Sequence, residues 1–119
     1  MSIPVDVARL DEALAHFGAG YLLTVTPEAR TKVLTVDAVV EDGRLRVTGP
    51  SPGSARNLEA NPAVTLVFPP AEAHGFTLIV DGTGASRGED FVVTPASAIL
   101  HRPSAHADGP PQPAFTLSP

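Results

Sequence analysis

Residues 34–49 read LTVDAVVEDGRLRVTG, and the period of this stretch decides the fold. Leu34, Val36, Ala38 and Val40 fall on one face of an extended chain, while Thr35 and Asp37 look the other way, so 32–41 is a half-buried strand. Asp42-Gly43 then occupies the two central positions of a tight hairpin, because a type I′ turn requires positive φ at both of them. Leu45 and Val47 continue the alternation on the returning strand.

The same period extends outward on both sides of this hairpin. Residues 21–26 carry Val, Leu and Thr in strand fashion, and Pro27 favours the first corner of the turn that leads into 32–41. Downstream, 54–60 breaks the β pattern and reads as a short helix, with Pro52-Gly53 before it and Asn61-Pro62 after it. Residues 63–68 form a buried-type strand, 69–75 a loop, and 76–87 a long strand interrupted by Gly82 and Gly84. Asp81-Gly82 is open to two readings, a tight hairpin or a bend in one long strand, and the bend is preferred. Residues 87–90 make the turn into a last strand at 91–94, followed by a short run at 96–100.

Ahead of the strands, Val7, Leu10, Leu14 and Phe17 recur at helical spacing, predicting a helix over 7–17. Asp6 is its N-cap, Val5 and Leu10 have the spacing of a hydrophobic staple, and Gly18 stands where a left-handed residue would end the helix. The expected fold is therefore mostly β: a small barrel with an N-terminal helix and a short helix inserted between strands 3 and 4. Closure is favoured because it removes exposed sheet edges. Residues 1–103 form the barrel domain, and the proline-rich stretch 104–119 is a C-terminal tail.

Composition excludes several functions. The 119 residues are 43% hydrophobic and 18% charged, as in a folded globule. Cysteine is absent, which removes disulfides, thiolate metal sites and cysteine nucleophiles together. A net charge of −5 with scattered basic residues argues against nucleic acid, and a lone Tyr without Trp argues against a single-strand stacking platform. No signal segment and no membrane-length apolar run is visible, so a cytoplasmic address away from the membrane is expected. His16, His74, His101 and His106 lack the spacing of a metal site, and no Walker loop, GxGxxG fingerprint or nucleophile elbow occurs. Asp-Gly-Thr-Gly at 81–84 is better explained by strand geometry than as half of an aspartic-protease site.

The stretches LTVDAVVEDGRLRVTG, SARNLEANPAVTLVF (54–68), LIVDGTGASR (78–87) and VVTPASAILHRP (92–103), in this order, give the chain a familiar layout. Over roughly residues 10–103 it resembles the pyridoxamine 5′-phosphate oxidase-like family, the FMN-binding split β-barrels, with Ala55 to Pro62 the most specific segment. The resemblance implies a homodimer with the flavin in the seam between two barrels, and an FMN-dependent oxidoreductase whose chemistry resides in the cofactor rather than in side-chain acids. It places the phosphate near Thr48, Ser51, Ser54 and Arg56, and the ring near Lys32, Val33, Leu34 and Thr35.

The start of the inserted helix agrees with that placement, since a helix N-terminus presents N–H groups and the positive end of its dipole. Where many relatives carry a basic pair, however, this chain has Gly53 and Ser54. Each charge-assisted hydrogen bond lost is worth about 1.5–3 kcal/mol. A deazaflavin (F420) binder, or a dimeric binding module of the same fold without tight flavin binding, therefore stands beside the FMN reading. Arg56 also fits a solvated surface residue, Lys32 an exposed turn neighbour, Asp37 a solvent-facing or seam residue, and Asn57 a brace between helix and strand.

Overall fold

A computed structural model describes residues 1–49 and 51–105 of the chain. Seven strands and two helices follow in the order β1 (Ser2–Val5), α1 (Leu10–Leu14), β2 (Gly20–Val25), β3 (Thr31–Glu41), β4 (Arg44–Thr48), α2 (Pro52–Ala60), β5 (Ala63–Phe68), β6 (Thr77–Arg87) and β7 (Asp90–His101). All strand pairs are antiparallel. The order β4-β3-β2-β5-β6-β7 closes on itself because β4 also pairs with β7, which makes a six-stranded barrel. β7 spans more than one neighbour on that edge: residues 91–93 pair with β4, and residues 98–101 pair with β1. The barrel is split at this point, between the ends of two short strands that share one long one.

The alternation read from 34–49 sets the core. Leu22, Val36, Leu45, Val47, Leu66, Phe68, Leu78, Val80, Phe91 and Val93 are all buried, on every strand of the barrel. Each such side chain contributes about 1.5–3 kcal/mol relative to exposure. The Asp42-Gly43 turn has φ of 51° and 75°, the left-handed values that an Asp-Gly hairpin supplies. At the β2–β3 turn, the N–H of Ala29 donates to the Thr26 carbonyl at 2.9 Å, with Pro27 at the first corner.

The long strands β6 and β7 bend together. Asp81 pairs with Ser97 but Gly82 pairs with Pro95, so Ala96 is an extra residue with no partner on β6. This bulge settles the two readings of Asp81-Gly82 in favour of the bend. A Cβ on Gly82 would collide with the Thr94 carbonyl oxygen, so the approach of the two backbones requires glycine. The expected break between 91–94 and 96–100 is corrected: β7 is one strand, because Pro95 stands at the bulge, where a missing N–H interrupts no regular ladder.

Two further expectations are corrected at the N-terminal end. The α-helix covers only Leu10–Leu14, not 7–17. Residues Val7–Arg9 form a 3₁₀ turn, and His16 and Phe17 bond back three residues to Ala13 and Leu14. Asp6 does cap this segment, accepting from the Ala8 N–H at 2.9 Å, but Gly18 does not take a left-handed conformation. Ser2–Val5 is a strand that the sequence did not announce and lies outside the six-stranded barrel, in which α2 sits between the third and fourth strands as expected.

The helices close opposite ends of the barrel. Phe17, just after α1, meets Phe68 at the end of β5 with ring centroids 6.5 Å apart. At the other end α2 begins at Ser51, whose Oγ accepts from the Ser54 N–H at 3.3 Å, with Pro52 in the first turn. Asn57 Nδ2 donates to Thr24 Oγ1 at 3.1 Å, and both side chains are buried. This is the brace expected of Asn57, tying α2 to β2. The described part of 104–119 is limited to Ser104 and Ala105, and the expected tail otherwise lies outside the described residues, as does His106.

Two outcomes test this account. Gly82→Ala should cost on the order of 1–3 kcal/mol in denaturant unfolding, whereas Gly18→Ala, with nothing within 4 Å of its Cβ position, should be neutral or slightly stabilising; equal effects would contradict the bend. Thr24→Val or Asn57→Leu alone should cost about 1–3 kcal/mol by stranding a buried partner. The double replacement should then cost less than the sum, by at least about 0.5 kcal/mol.

Candidate functional site

Between the N-terminal half of α2 and the adjoining ends of β2 and β3 lies a cleft of about 190 Å³. Thr26 follows β2 into it, β3 contributes Lys32 and Leu34, and α2 contributes Ser51, Gly53, Ser54, Arg56 and Asn57. The strand period explains the β3 contribution. Lys32 and Leu34 share the inner parity with Val36, and near the barrel's end that inner face opens under α2 rather than into the core.

Five of the eight residues anticipated at a cofactor site are thus brought together: Lys32, Leu34, Ser51, Ser54 and Arg56. Three are not. Val33 and Thr35 have the opposite parity and are exposed on the outside of the barrel, since adjacent residues of one strand cannot face the same cleft. Thr48 does not line it either; its hydroxyl donates to the Asp37 carbonyl at 3.4 Å across the β3–β4 pair. Conversely, Thr26, Gly53 and Asn57 line the cleft without having been named for it. Thr26 follows Leu22 and Thr24 at the inner period of two, which is the signal that finds it.

The cleft's electrostatics are cationic. Elsewhere, Arg9 is held by Glu12 at 2.7 Å, and Arg46 by Glu41 at 3.0 Å and Asp90 at 3.5 Å. The hydrogen bond to Glu41, then that carboxylate's charge, raises the Arg46 pKa from its ordinary value. Lys32 and Arg56, by contrast, form no ion pair among the described residues. Arg56 Nη2 comes within 3.8 Å of the position a Gly53 Cβ would take, so the guanidinium lies over the first turn of α2. Pro52 has no N–H, so the first backbone donor of the helix is that of Gly53. The Ser51 and Ser54 hydroxyls lie 3.1 Å apart at the same turn. Helix dipole, hydroxyls and the Arg56 guanidinium meet at this turn, Lys32 lines the same cleft, and that donor set suits a phosphate.

Other sequence features have structural places. His101 Nδ1 is 3.1 Å from the Ser2 hydroxyl, within the β1–β7 pair. Asp81 accepts from the Thr65 hydroxyl on the outer face of the barrel. Thr35 and Asp37 are exposed, as their parity implied. Among the described residues no helix is long and apolar enough to cross a membrane.

No model of a known protein family matches the chain. Two mycobacterial proteins are each 35% identical to it, "Uncharacterized protein Mb0449c" of Mycobacterium bovis and "Uncharacterized protein MT0457" of Mycobacterium tuberculosis. Each match covers 85% of this chain and 82% of the relative. Among solved structures, a FAD-binding protein from Mesorhizobium loti superposes with a TM-score of 0.64 at 13% identity, over 84% of this chain and 96% of that one. The FAD binding protein from Mycobacterium smegmatis gives 0.61 at 13% identity, over 86% and 100%. An F420 reductase gives 0.60 at 20% identity, over 73% and 94%. These likenesses are of fold, and the fold they share with this chain is the split β-barrel. The chain thus belongs to one family with the mycobacterial proteins Mb0449c and MT0457, built here on that split barrel.

Proposed function

We propose that the chain is a homodimeric oxidoreductase that binds FMN, or the deazaflavin F420, in the cleft under α2. The observation that carries this reading is the pairing of Lys32 and Arg56, neither engaged in an ion pair among the described residues, with the first turn of a nine-residue helix. The FAD-binding and F420-reductase names of the structural neighbours support the same cofactor class.

Each residue has a definite task. Arg56 and Lys32 would neutralise the phosphate, the Gly53 N–H and whichever of the Ser51 and Ser54 hydroxyls does not donate to the other would orient it, and Leu34 would present an apolar wall beside it. The Asn57–Thr24 hydrogen bond holds the helix start at a constant distance from β2 and β3, so these groups are set before the ligand arrives. A bound flavin or deazaflavin supplies a ring that accepts and donates hydride.

The size of the cleft favours two copies. About 190 Å³ falls short of the ~300–1,000 Å³ usual for a small-molecule site, so a further wall is needed. The outer face of β2 and β3 offers the means, since Tyr21, Val33 and Val39 are 41%, 55% and 45% exposed there. Val33 alternates with the cleft residues Lys32 and Leu34, so a partner on that face sits one residue from the site.

Fluorescence titration with FMN and with F420 tests the proposal. One of them should bind, and Arg56→Ala or Lys32→Ala should each weaken binding by about tenfold or more. Val33→Glu should leave the far-ultraviolet spectrum intact, yield monomer in sedimentation and lose cofactor. If neither cofactor binds a folded dimer, the chain is an interaction module of the same fold, consistent with Gly53 and Ser54 in place of a basic pair. If binding occurs and Arg56→Ala leaves it unchanged, the cleft is not the site.

A further inference from the structure

Across the barrel from β2, the strands β4, β7 and β6 lie side by side, and their outer face holds an open hollow of about 550 Å³. It shares no lining residue with the cleft under α2. Its floor is β7, where Val92 pairs with Arg46 on one side and Ala85 on the other, and Thr94 pairs with Thr83. These floor residues are small, so the surface dips between its two walls. The walls are Arg44, at the start of β4, and Arg87, at the end of β6.

The charge balance in this hollow differs from that of the whole chain. The protein carries a net charge of −5, yet two arginines and no carboxylate line the hollow among the described residues. Of the nearby acids, Glu41 stands opposite Arg44 in register and Asp90 opposite Arg87. Glu41 and Asp90 both bind Arg46, at 3.0 and 3.5 Å. Glu41 and Asp42 line an adjoining concavity of about 420 Å³, which shares Arg44, Arg87 and Val92 with the hollow. Arg44 and Arg87 form no ion pair among the described residues. Thr83, Ser86 and Thr94 add hydroxyl groups to the lining, beside Pro62 and Gly84.

From this we infer that the β4–β7–β6 face is a binding site for a small doubly charged oxyanion, a phosphate ester or a dicarboxylate, gripped between Arg44 and Arg87. With β7 between them, the two strands stand about two inter-strand spacings apart, roughly 10 Å, and Arg44 lies one residue beyond the Leu45–Val93 pair whereas Arg87 pairs with Asp90, so the two long side chains approach each other along a diagonal across β7. Guanidinium groups match carboxylate and phosphate oxygens in bidentate fashion, and hydroxyls donate to the remaining lone pairs. Arg46, flanked by two carboxylates, sits beside the site without competing for the anion. The inference is independent of any cofactor under α2, and the proposed dimer face on β2 and β3 leaves this side of the barrel open.

Inorganic phosphate and succinate, each titrated into isotope-labelled full-length protein at constant ionic strength, provide the test by amide chemical shifts. The expected result is a saturable shift at Thr83, Ala85, Ser86, Val92 and Thr94, weakened about tenfold or more by Arg44→Gln and by Arg87→Gln. Arg30→Gln, in the exposed β2–β3 turn, should leave it unchanged. A response to phosphate alone assigns a phosphate ester, and a response to succinate alone a dicarboxylate. Shifts that fail to saturate with either probe, or that Arg30→Gln reduces as much as Arg44→Gln does, overturn the inference. Because these residues are exposed and none lies in the α2 cleft, failure here leaves the FMN and F420 titrations unaffected.

Discussion

The close approach of Gly82 to the Thr94 carbonyl is the constraint on which the rest of this structure depends. Only where a Cβ is missing can β6 and β7 come together tightly enough to bend as a pair, and the bend gives β7 two different directions along its length. Its first part then closes the six-stranded barrel against β4, while its second part is left free to accept β1. A straight β7 would satisfy one neighbour and leave an open edge at the other, with the unpaired donors and acceptors that such an edge exposes. Glycine, proline and an extra residue are concentrated at one point of the sheet for this reason.

Closure creates two barrel ends, and each is treated differently. Phe17 and Phe68 fill the α1 end with apolar surface. The α2 end is sealed in part by Leu58, which packs toward Gly84 and Val64, and in part by a polar contact between Asn57 and Thr24. A buried amide–hydroxyl pair adds little net stability while both members are present, but it fixes where the helix sits. The helix start, with its cap, its hydroxyls and Arg56, is positioned by that contact. The proposed cofactor chemistry thus rests on rigid elements rather than on a loop.

Much of this was legible in the residues themselves. Asp42-Gly43, the Pro27 turn, the limits of the fifth strand and the bend at Gly82 each follow from local rules on positive φ, fixed φ or close backbone approach. The α2 segment was visible because Pro52-Gly53 and Asn61-Pro62 bracket it. What escaped depends on partners distant in sequence. Ser2–Val5 has no alternation of its own and is a strand only because β7 offers it an edge. Pro95 looks like a strand end until the bulge opposite Gly82 is known. The helix at 7–17 was overread because Phe17 does follow a helical spacing, but the chain reaches it through three-residue bonds that turn it toward Phe68. At the site, the resemblance named a contiguous run, 32–35, whereas a strand gives a cleft only every second residue. Lys32 and Leu34 therefore line the cleft, while Val33 and Thr35 lie on the outer face that a second copy is proposed to cover.

The two faces of β3 tie the functional proposal together, with cations and an apolar wall on one side and exposed valines on the other. A crystal structure of the full chain grown with FMN tests this most directly. The account predicts a dimer joined across β2 and β3, with the phosphate within hydrogen-bonding distance of the Ser51 hydroxyl and the Arg56 guanidinium. A flavin phosphate bound away from the first turn of α2, in a protomer that buries neither Val33 nor Tyr21, would contradict it.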